Sequence, residues 1–134
     1  MDRWKRMRAP IGIGALGLVS AGYVYAVDPS SPGHYPPCPT KVLTGWDCPF
    51  CGSLRATHDA LHANIGGAVD LNVLTVVLVL PAILVVYLLW SYRRWRGEEL
   101  RLELPTWATS ALIALFVAFT VVRNLPGMPF GTPS

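Results

Sequence analysis

Charged residues are scarce in this sequence and unevenly placed. They make up 14% of the 134 residues, whereas soluble domains carry about 25%. Three long stretches contain almost none, and the charges cluster between them. The sequence also lacks a basic stripe with interleaved aromatics, a nucleotide-binding loop and a serine nucleophile elbow. These absences argue against a nucleic-acid partner and against the common soluble enzyme classes.

The uncharged stretches predict an all-α integral membrane protein with three transmembrane helices, over residues 11–27, 71–92 and 106–123. The apolar part of the second helix is about 20 residues long, which is the length needed to cross the hydrocarbon core of a membrane. Pro81 removes one of its backbone hydrogen bonds and is expected to kink it. An alternative for residues 11–27 is a cleaved signal peptide, which would leave two spans.

The distribution of Lys and Arg predicts how the helices are oriented. If residues 1–10 and 93–105 are cytoplasmic, that side holds eight basic residues against three outside, and such an excess marks the cytoplasmic side. The eight are Arg3, Lys5, Arg6, Arg8, Arg93, Arg94, Arg96 and Arg101; the three are Lys41, Arg55 and Arg123. We therefore expect a plasma (inner) membrane protein whose connection 28–70 and tail 124–134 are extracytoplasmic.

The connection 28–70 contains all three cysteines of the sequence, in Cys38-Pro39 and in Cys48-Pro49-Phe50-Cys51-Gly52. A short amphipathic helix is predicted over about 49–64, lying at the outer membrane interface or packed over the transmembrane helices. Asp47 is expected to cap it, and Gly66-Gly67 to end it. Its polar face is predicted to carry Arg55, His58, Asp59 and His62.

Several motifs together resemble the signature of DUF2752, a bacterial family of small membrane proteins of unknown function. They are Cys38-Pro39, Thr44-Gly45, Cys48-Pro49-Phe50-Cys51-Gly52, Arg55-Ala56, Asn72-Val73-Leu74 and Arg123-Asn124. Val73 departs from the family pattern, which has proline at that position. The resemblance implies a multi-pass bacterial membrane protein and brings no established activity with it.

The cysteines allow three chemical interpretations. Outside the cytoplasm, Cys38 can form a structural disulfide with Cys48 or Cys51, leaving one free thiol. Alternatively, the three cysteines bind zinc, which prefers four ligands. The fourth is then one of His34, His58 and His62. A third interpretation is thiol–disulfide exchange through Cys48 and Cys51, because a C-x-x-C at a helix start has one thiol of lowered pKa.

A polar cluster at the outer membrane edge is a further hypothesis, formed by Arg55, Asp59, Arg123 and Asn124. Arg55 and Asp59 are expected to form an ordinary salt bridge, with binding of an anionic group as the alternative. The preferred interpretation of the whole chain is a structural, accessory or partner-binding membrane protein rather than an enzyme. Its expected partners are the lipid bilayer and other membrane proteins or a second copy of itself.

Overall fold

Every secondary-structure element in the computed structural model, which describes residues 2–127, is helical. Three stretches are long and apolar enough to cross a membrane: Arg3–Ala26, Ile65–Arg96 and Thr106–Arg123. This confirms the predicted all-helical fold with three membrane-length helices; residues 128–134 of the predicted tail lie outside the description. The helices are α1 (Arg3–Ala26), α2 (Pro39–Thr44), α3 (Ser53–Leu61), α4 (Ile65–Leu74), a π-helical turn (Thr75–Val79), α5 (Leu80–Arg96) and α6 (Thr106–Arg123).

Helix α1 packs closely against α5 near its basic end. Pro10 is buried in α1, and the hydroxyl of Tyr87 donates a hydrogen bond of 3.0 Å to its carbonyl oxygen. A Cβ atom at Gly14 would collide with the Tyr87 hydroxyl. The glycine therefore allows the two helices to approach each other at this point.

The second long helix departs twice from regular α geometry. Asn72 has a non-helical backbone conformation, with φ −162° and ψ 91°. A π-helical turn follows, in which the N–H of Leu80 donates to the carbonyl of Thr75. This turn lies directly before Pro81, whose missing N–H leaves a carbonyl one turn earlier without its usual donor. The irregularity predicted at Pro81 is thus a π-helical turn on its N-terminal side.

Helix α3 occupies part of the range predicted for the short helix, about 49–64. It begins at Ser53, with Gly52 in the capping position, so the expectation that Asp47 caps it is wrong. Residues 48–52 form turns instead of a first helical turn, because the Cys51 N–H bonds back to the Cys48 carbonyl at 3.0 Å. The Asp47 carboxylate lies 3.2 Å from Lys41 Nζ and forms an ion pair with it. The Asp47 Oδ1 atom accepts no hydrogen bond from the residues that the structure describes.

The end of α3 also differs from the prediction. The helix stops at Leu61, and Ala63 adopts a left-handed conformation with φ 61°. Gly66 and Gly67 do not terminate α3 but lie in the first turn of α4, where the Asn64 side chain caps the Gly67 N–H at 3.3 Å. The break at Ala63 turns the chain from α3 into the second long helix.

The long helices alternate in direction, so that the charged and cysteine-bearing segments lie at opposite ends. Arg3 stands over the ring of Trp95 at 5.7 Å, which places the start of α1 beside the end of α5. At the other end, Asp47 bonds to Asn124, next to the end of α6. We call this second end of the molecule the cysteine end.

Candidate functional site

The three cysteine side chains converge at the cysteine end. Cys48 Sγ lies 3.2 Å from Cys51 Sγ and 3.5 Å from Cys38 Sγ, and all three sulfurs lie within 4.8 Å of one another. Cys48 and Cys51 share one turn of the chain, whereas Cys38 precedes α2 and reaches them from a separate segment. The three are free thiols.

The thiols of Cys38 and Cys51 differ in their tendency to ionise. Hydrogen bonds from Cys51 and from the backbone of Lys41, in the first turn of α2, lower the pKa of Cys38 to about 7. Burial, together with the neighbouring Cys38 and Cys48, raises the pKa of Cys51 to about 12. Without a cation, Cys38 therefore loses its proton far more readily than Cys51 does.

Asn72 connects the cysteine turn to the second long helix. Its side chain is completely buried, and its amide group donates to the carbonyls of Pro49 at 2.9 Å and Cys51 at 3.2 Å. Its Oδ1 accepts the Thr75 N–H at 3.0 Å. The extended backbone at Asn72 is what places this side chain beneath the turn. The Cys48–Cys51 turn is therefore fixed in position by an amide from the membrane-length helix.

Two hydroxyl groups extend the same network. Ser53 Oγ lies 2.7 Å from Thr75 Oγ1 and accepts from the Asn72 amide at 3.3 Å. Every member lies at the junction of α3 with the second long helix, where an unpaired polar group would cost roughly 1–3 kcal/mol. Sequence reasoning did not identify Ser53, Asn72 and Thr75 as a functional group. The position of Asn72 at the start of a long apolar segment could have indicated this role, because a polar side chain buried in such a segment needs hydrogen-bond partners.

The third long helix contributes a second amide. Asn124 Oδ1 accepts the Asp47 N–H at 2.9 Å, and Asn124 Nδ2 donates to the Asp47 carbonyl at 2.9 Å. Because Asp47 immediately precedes Cys48, this pairing holds the entry to the cysteine turn. The ring of Phe50 adds an apolar contact with Phe116 of α6, at 5.4 Å between centroids.

Arg123 lies buried beside the same turn, with 4% of its surface exposed. Its Nη2 donates to the Leu71 carbonyl at 3.4 Å, and its guanidinium stands 5.9 Å above the Phe119 ring. Gly52 leaves room for this arrangement: a Cβ there would lie 3.1 Å from the Leu71 oxygen and 3.5 Å from Arg123 Nη2. Its φ of +81° also favours glycine.

The segment that contains this site is recognisable in a known family. Residues 38–87 match DUF2752, described as a protein of unknown function. The match confirms the family resemblance seen in the sequence over these residues, which include the three cysteines and Asn72. No curated protein and no solved structure matches the chain.

The predicted polar cluster is divided in the structure. Arg123 and Asn124 adjoin the cysteine turn of the DUF2752 segment, whereas Arg55 lines a cavity of about 530 Å³ in front of the cysteines. Asp59 Oδ2 accepts a hydrogen bond of 3.4 Å from Asn64. Among the residues that the structure describes, no ion pair joins Arg55 to Asp59, so the salt bridge expected between them does not form.

The histidines lie apart from the cysteine cluster of the DUF2752 segment. His34 is exposed in the connection after α1. His58 Nδ1 lies 2.7 Å from the Val24 carbonyl of α1, and the His62 ring stacks on Tyr25 at 4.1 Å. Among the residues that the structure describes, the three cysteines form a potential metal-binding group without any histidine.

Proposed function

We propose that this chain is a small, non-enzymatic bacterial plasma-membrane protein in which Cys38, Cys48 and Cys51 bind one zinc ion. The ion fixes the extracytoplasmic segment against the ends of the helices and shapes a surface for a partner. The excess of basic residues in 1–10 and 93–105 supports a cytoplasmic location for that end, which leaves the cysteine end outside.

The convergence of three sulfurs from two separate segments carries this proposal. Zinc–sulfur bonds of about 2.3 Å place the sulfurs of a tetrahedral site about 3.8 Å apart. The observed separations of 3.2 Å and 3.5 Å reach that value with small side-chain movements. Cys38 matters most here, because a C-x-x-C turn brings only two thiols together by itself.

The ionisation of the cluster also suits a cation. Bound zinc requires thiolates and displaces their protons, and Cys38 already loses its proton at about pH 7. Cys51 keeps its proton because of burial and the neighbouring thiols; a doubly charged ion beside it reverses this balance. Since no described histidine adjoins the sulfurs, the fourth ligand is water or a group from a partner.

The position of α3 supports an interfacial role for this segment. Leu54, Leu61 and Ile65 are 46%, 41% and 54% exposed, which is costly in water but suits the headgroup boundary. On another side of the helix, His58 bonds to α1. In this proposal α3 lies on the outer membrane surface, and the zinc site sits at its N-terminal end.

A second candidate function is thiol–disulfide exchange, favoured by the 3.2 Å separation of Cys48 and Cys51 and the lowered pKa of Cys38. In this reaction one thiolate attacks the disulfide of a partner, forming a mixed disulfide and releasing a partner thiolate. A second cysteine of the chain then attacks the mixed disulfide and releases the second thiolate of the partner. The chain gains one disulfide, and the partner disulfide is reduced to two thiols.

Metal analysis and thiol mapping on one detergent-purified sample test the proposal. We expect one zinc per chain, three cysteines that are reduced but protected from maleimide, and loss of zinc in Cys38→Ser. His34→Gln is the matched control and should keep its zinc. An intramolecular disulfide without zinc would overturn the metal site and leave a structural disulfide or exchange, which the reduction potential of that disulfide separates. Three freely reactive thiols without zinc would overturn the metal site, and failure of those thiols to reduce an added disulfide would reject exchange as well.

A further inference from the structure

A second group of metal-ligating side chains lies on α3, apart from the cysteines. His58 and His62 are one helical turn apart, with ring centroids separated by 4.3 Å. Two imidazole nitrogens on one tetrahedral zinc ion lie about 3.4 Å apart, because each bond is about 2.0–2.1 Å long. Rings whose centroids are 4.3 Å apart can be turned to bring one nitrogen of each to this separation.

The hydrogen bonds of both rings determine which nitrogen is free. His58 Nδ1 lies 2.7 Å from the Val24 carbonyl oxygen, and His62 Nδ1 lies 2.8 Å from the His58 carbonyl oxygen. A carbonyl oxygen only accepts, so each Nδ1 carries a hydrogen. In the neutral rings, both Nε2 atoms then have a free lone pair. Histidines that bind metals commonly show this arrangement, in which a carbonyl orients the ring from behind.

The surroundings of the pair restrict ring motion and supply negative charge. The Tyr25 ring stacks on His62 at 4.1 Å with an interplanar angle of 1°, which leaves the edge of the imidazole accessible. The Ser30 N–H lowers the pKa of the Asp28 carboxyl, and the nearby charges of His58 and Arg55 lower it further. Asp28 thus stays ionised near His58, where it partly offsets the repulsion between Arg55 and an incoming cation.

We propose that His58 and His62 form a binding site for a divalent first-row transition ion, separate from the cysteine cluster. Two imidazoles with water completing the coordination suit nickel and copper, with affinity rising from nickel to copper. The three sulfurs at the cysteine cluster select softer ions. The chain would therefore hold two ions of different chemistry at its cysteine end.

Nickel titration of the full chain in detergent tests this site, because nickel binds imidazole without oxidising thiols. The cysteines are first loaded with zinc or, if they retain none, blocked with maleimide, so failure of the cysteine proposal leaves this test readable. We expect one nickel per chain in the wild type and in His34→Gln. His62→Gln should weaken binding on the order of a hundredfold, because the second imidazole of a chelating pair binds intramolecularly.

Chemical modification provides a second readout that does not require the variant to fold. Diethyl pyrocarbonate carbethoxylates accessible imidazoles, and mass spectrometry locates the product. Nickel should slow the modification of His58 and His62 in the wild type but leave His34 unchanged. Equal nickel affinity in His62→Gln and wild type, no nickel binding by the wild type, or equal protection of all three histidines would each overturn the proposal.

Discussion

Asn124 pairs with the main chain of Asp47 through two hydrogen bonds of 2.9 Å, although 77 residues separate them in the sequence. One bond pairs the Asp47 N–H and the other pairs the Asp47 carbonyl, so the Asn124 amide bonds to this residue as the main chain of a neighbouring β-strand would. The end of α6 is thereby joined to the residue that precedes Cys48. This connection makes the geometry of the cysteine turn depend on the third long helix.

Replacing Asn124 should loosen the cysteine turn. Asn124→Ala leaves the N–H and carbonyl of Asp47 unpaired in a partly buried site, and we expect a loss of about 1–3 kcal/mol in the free energy of unfolding. Denaturation in mixed micelles measures this loss, and faster alkylation of Cys48 by maleimide should accompany it. Leu125→Ala, at the adjacent position, is the control. An unchanged alkylation rate in Asn124→Ala would show that the pairing does not hold the turn.

Replacing Asn72 should lower the free energy of unfolding more than replacing Asn64, the other asparagine near the N-terminal end of the second long helix. Asn72→Leu removes the donors to the Pro49 and Cys51 carbonyls and the acceptor of the Thr75 N–H. Leaving such buried groups unpaired should cost on the order of 3 kcal/mol. Asn64→Ala loses only an exposed helix cap, worth about 1 kcal/mol. Unfolding of both variants in mixed micelles checks the order, and equal losses would contradict the buried role of Asn72.

Alanine substitutions at two glycines with the same backbone conformation distinguish the cost of a strained backbone from the cost of a close contact. Gly52 and Gly45 have φ of +81° and +74°, but only Gly52 has atoms within 4 Å of an added Cβ. Gly45→Ala should cost about 1–2 kcal/mol from the left-handed conformation alone. Gly52→Ala should cost more, because the Leu71 carbonyl or Arg123 must move. If unfolding measurements show equal losses, the close approach at Gly52 contributes nothing.

The reactivity of Cys38 should rise through neutral pH in metal-free protein. Its pKa is lowered to about 7, and the thiolate is the reactive form, so the alkylation rate should be half-maximal near pH 7. Cys51, with a pKa raised to about 12, should stay unreactive there. Because the folded pKa of Cys38 lies below its ordinary value of 9.0, its ionisation should also stabilise the folded chain increasingly between pH 7 and pH 9.

Trypsin cleavage after Lys41 places Cys38 in one peptide and Cys48 and Cys51 in another. Fragmentation of the second peptide in the mass spectrometer then distinguishes a label on Cys51 from one on Cys48. N-acetylcysteine serves as the reference thiol. A Cys38 profile centred at about pH 8.5, as for a free cysteine, would contradict the hydrogen-bonded environment. Zinc should suppress the whole profile until a chelator removes it.

The sequence predicted the parts of this protein that depend on local composition and spacing. Three long apolar segments predict three membrane-length helices, because hydropathy over about 20 residues requires no knowledge of neighbours. The separation of Cys48 and Cys51 by two residues predicts that their thiols meet in one turn. The alternation of basic segments predicts that residues 3–8 and 93–96 lie at the same end. Each inference uses composition or spacing within short segments of the chain.

The tertiary structure decided which distant residues complete the site. Cys38 joins the other thiols because α2 returns the chain to the turn, and the same packing draws His58 and His62 against α1 and away from the sulfurs. Asn72, Arg123 and Asn124 acquire their roles only when three helix ends meet and bury polar groups that then need partners. Apolar periodicity does not encode such pairings, since they depend on how the long helices are positioned against one another.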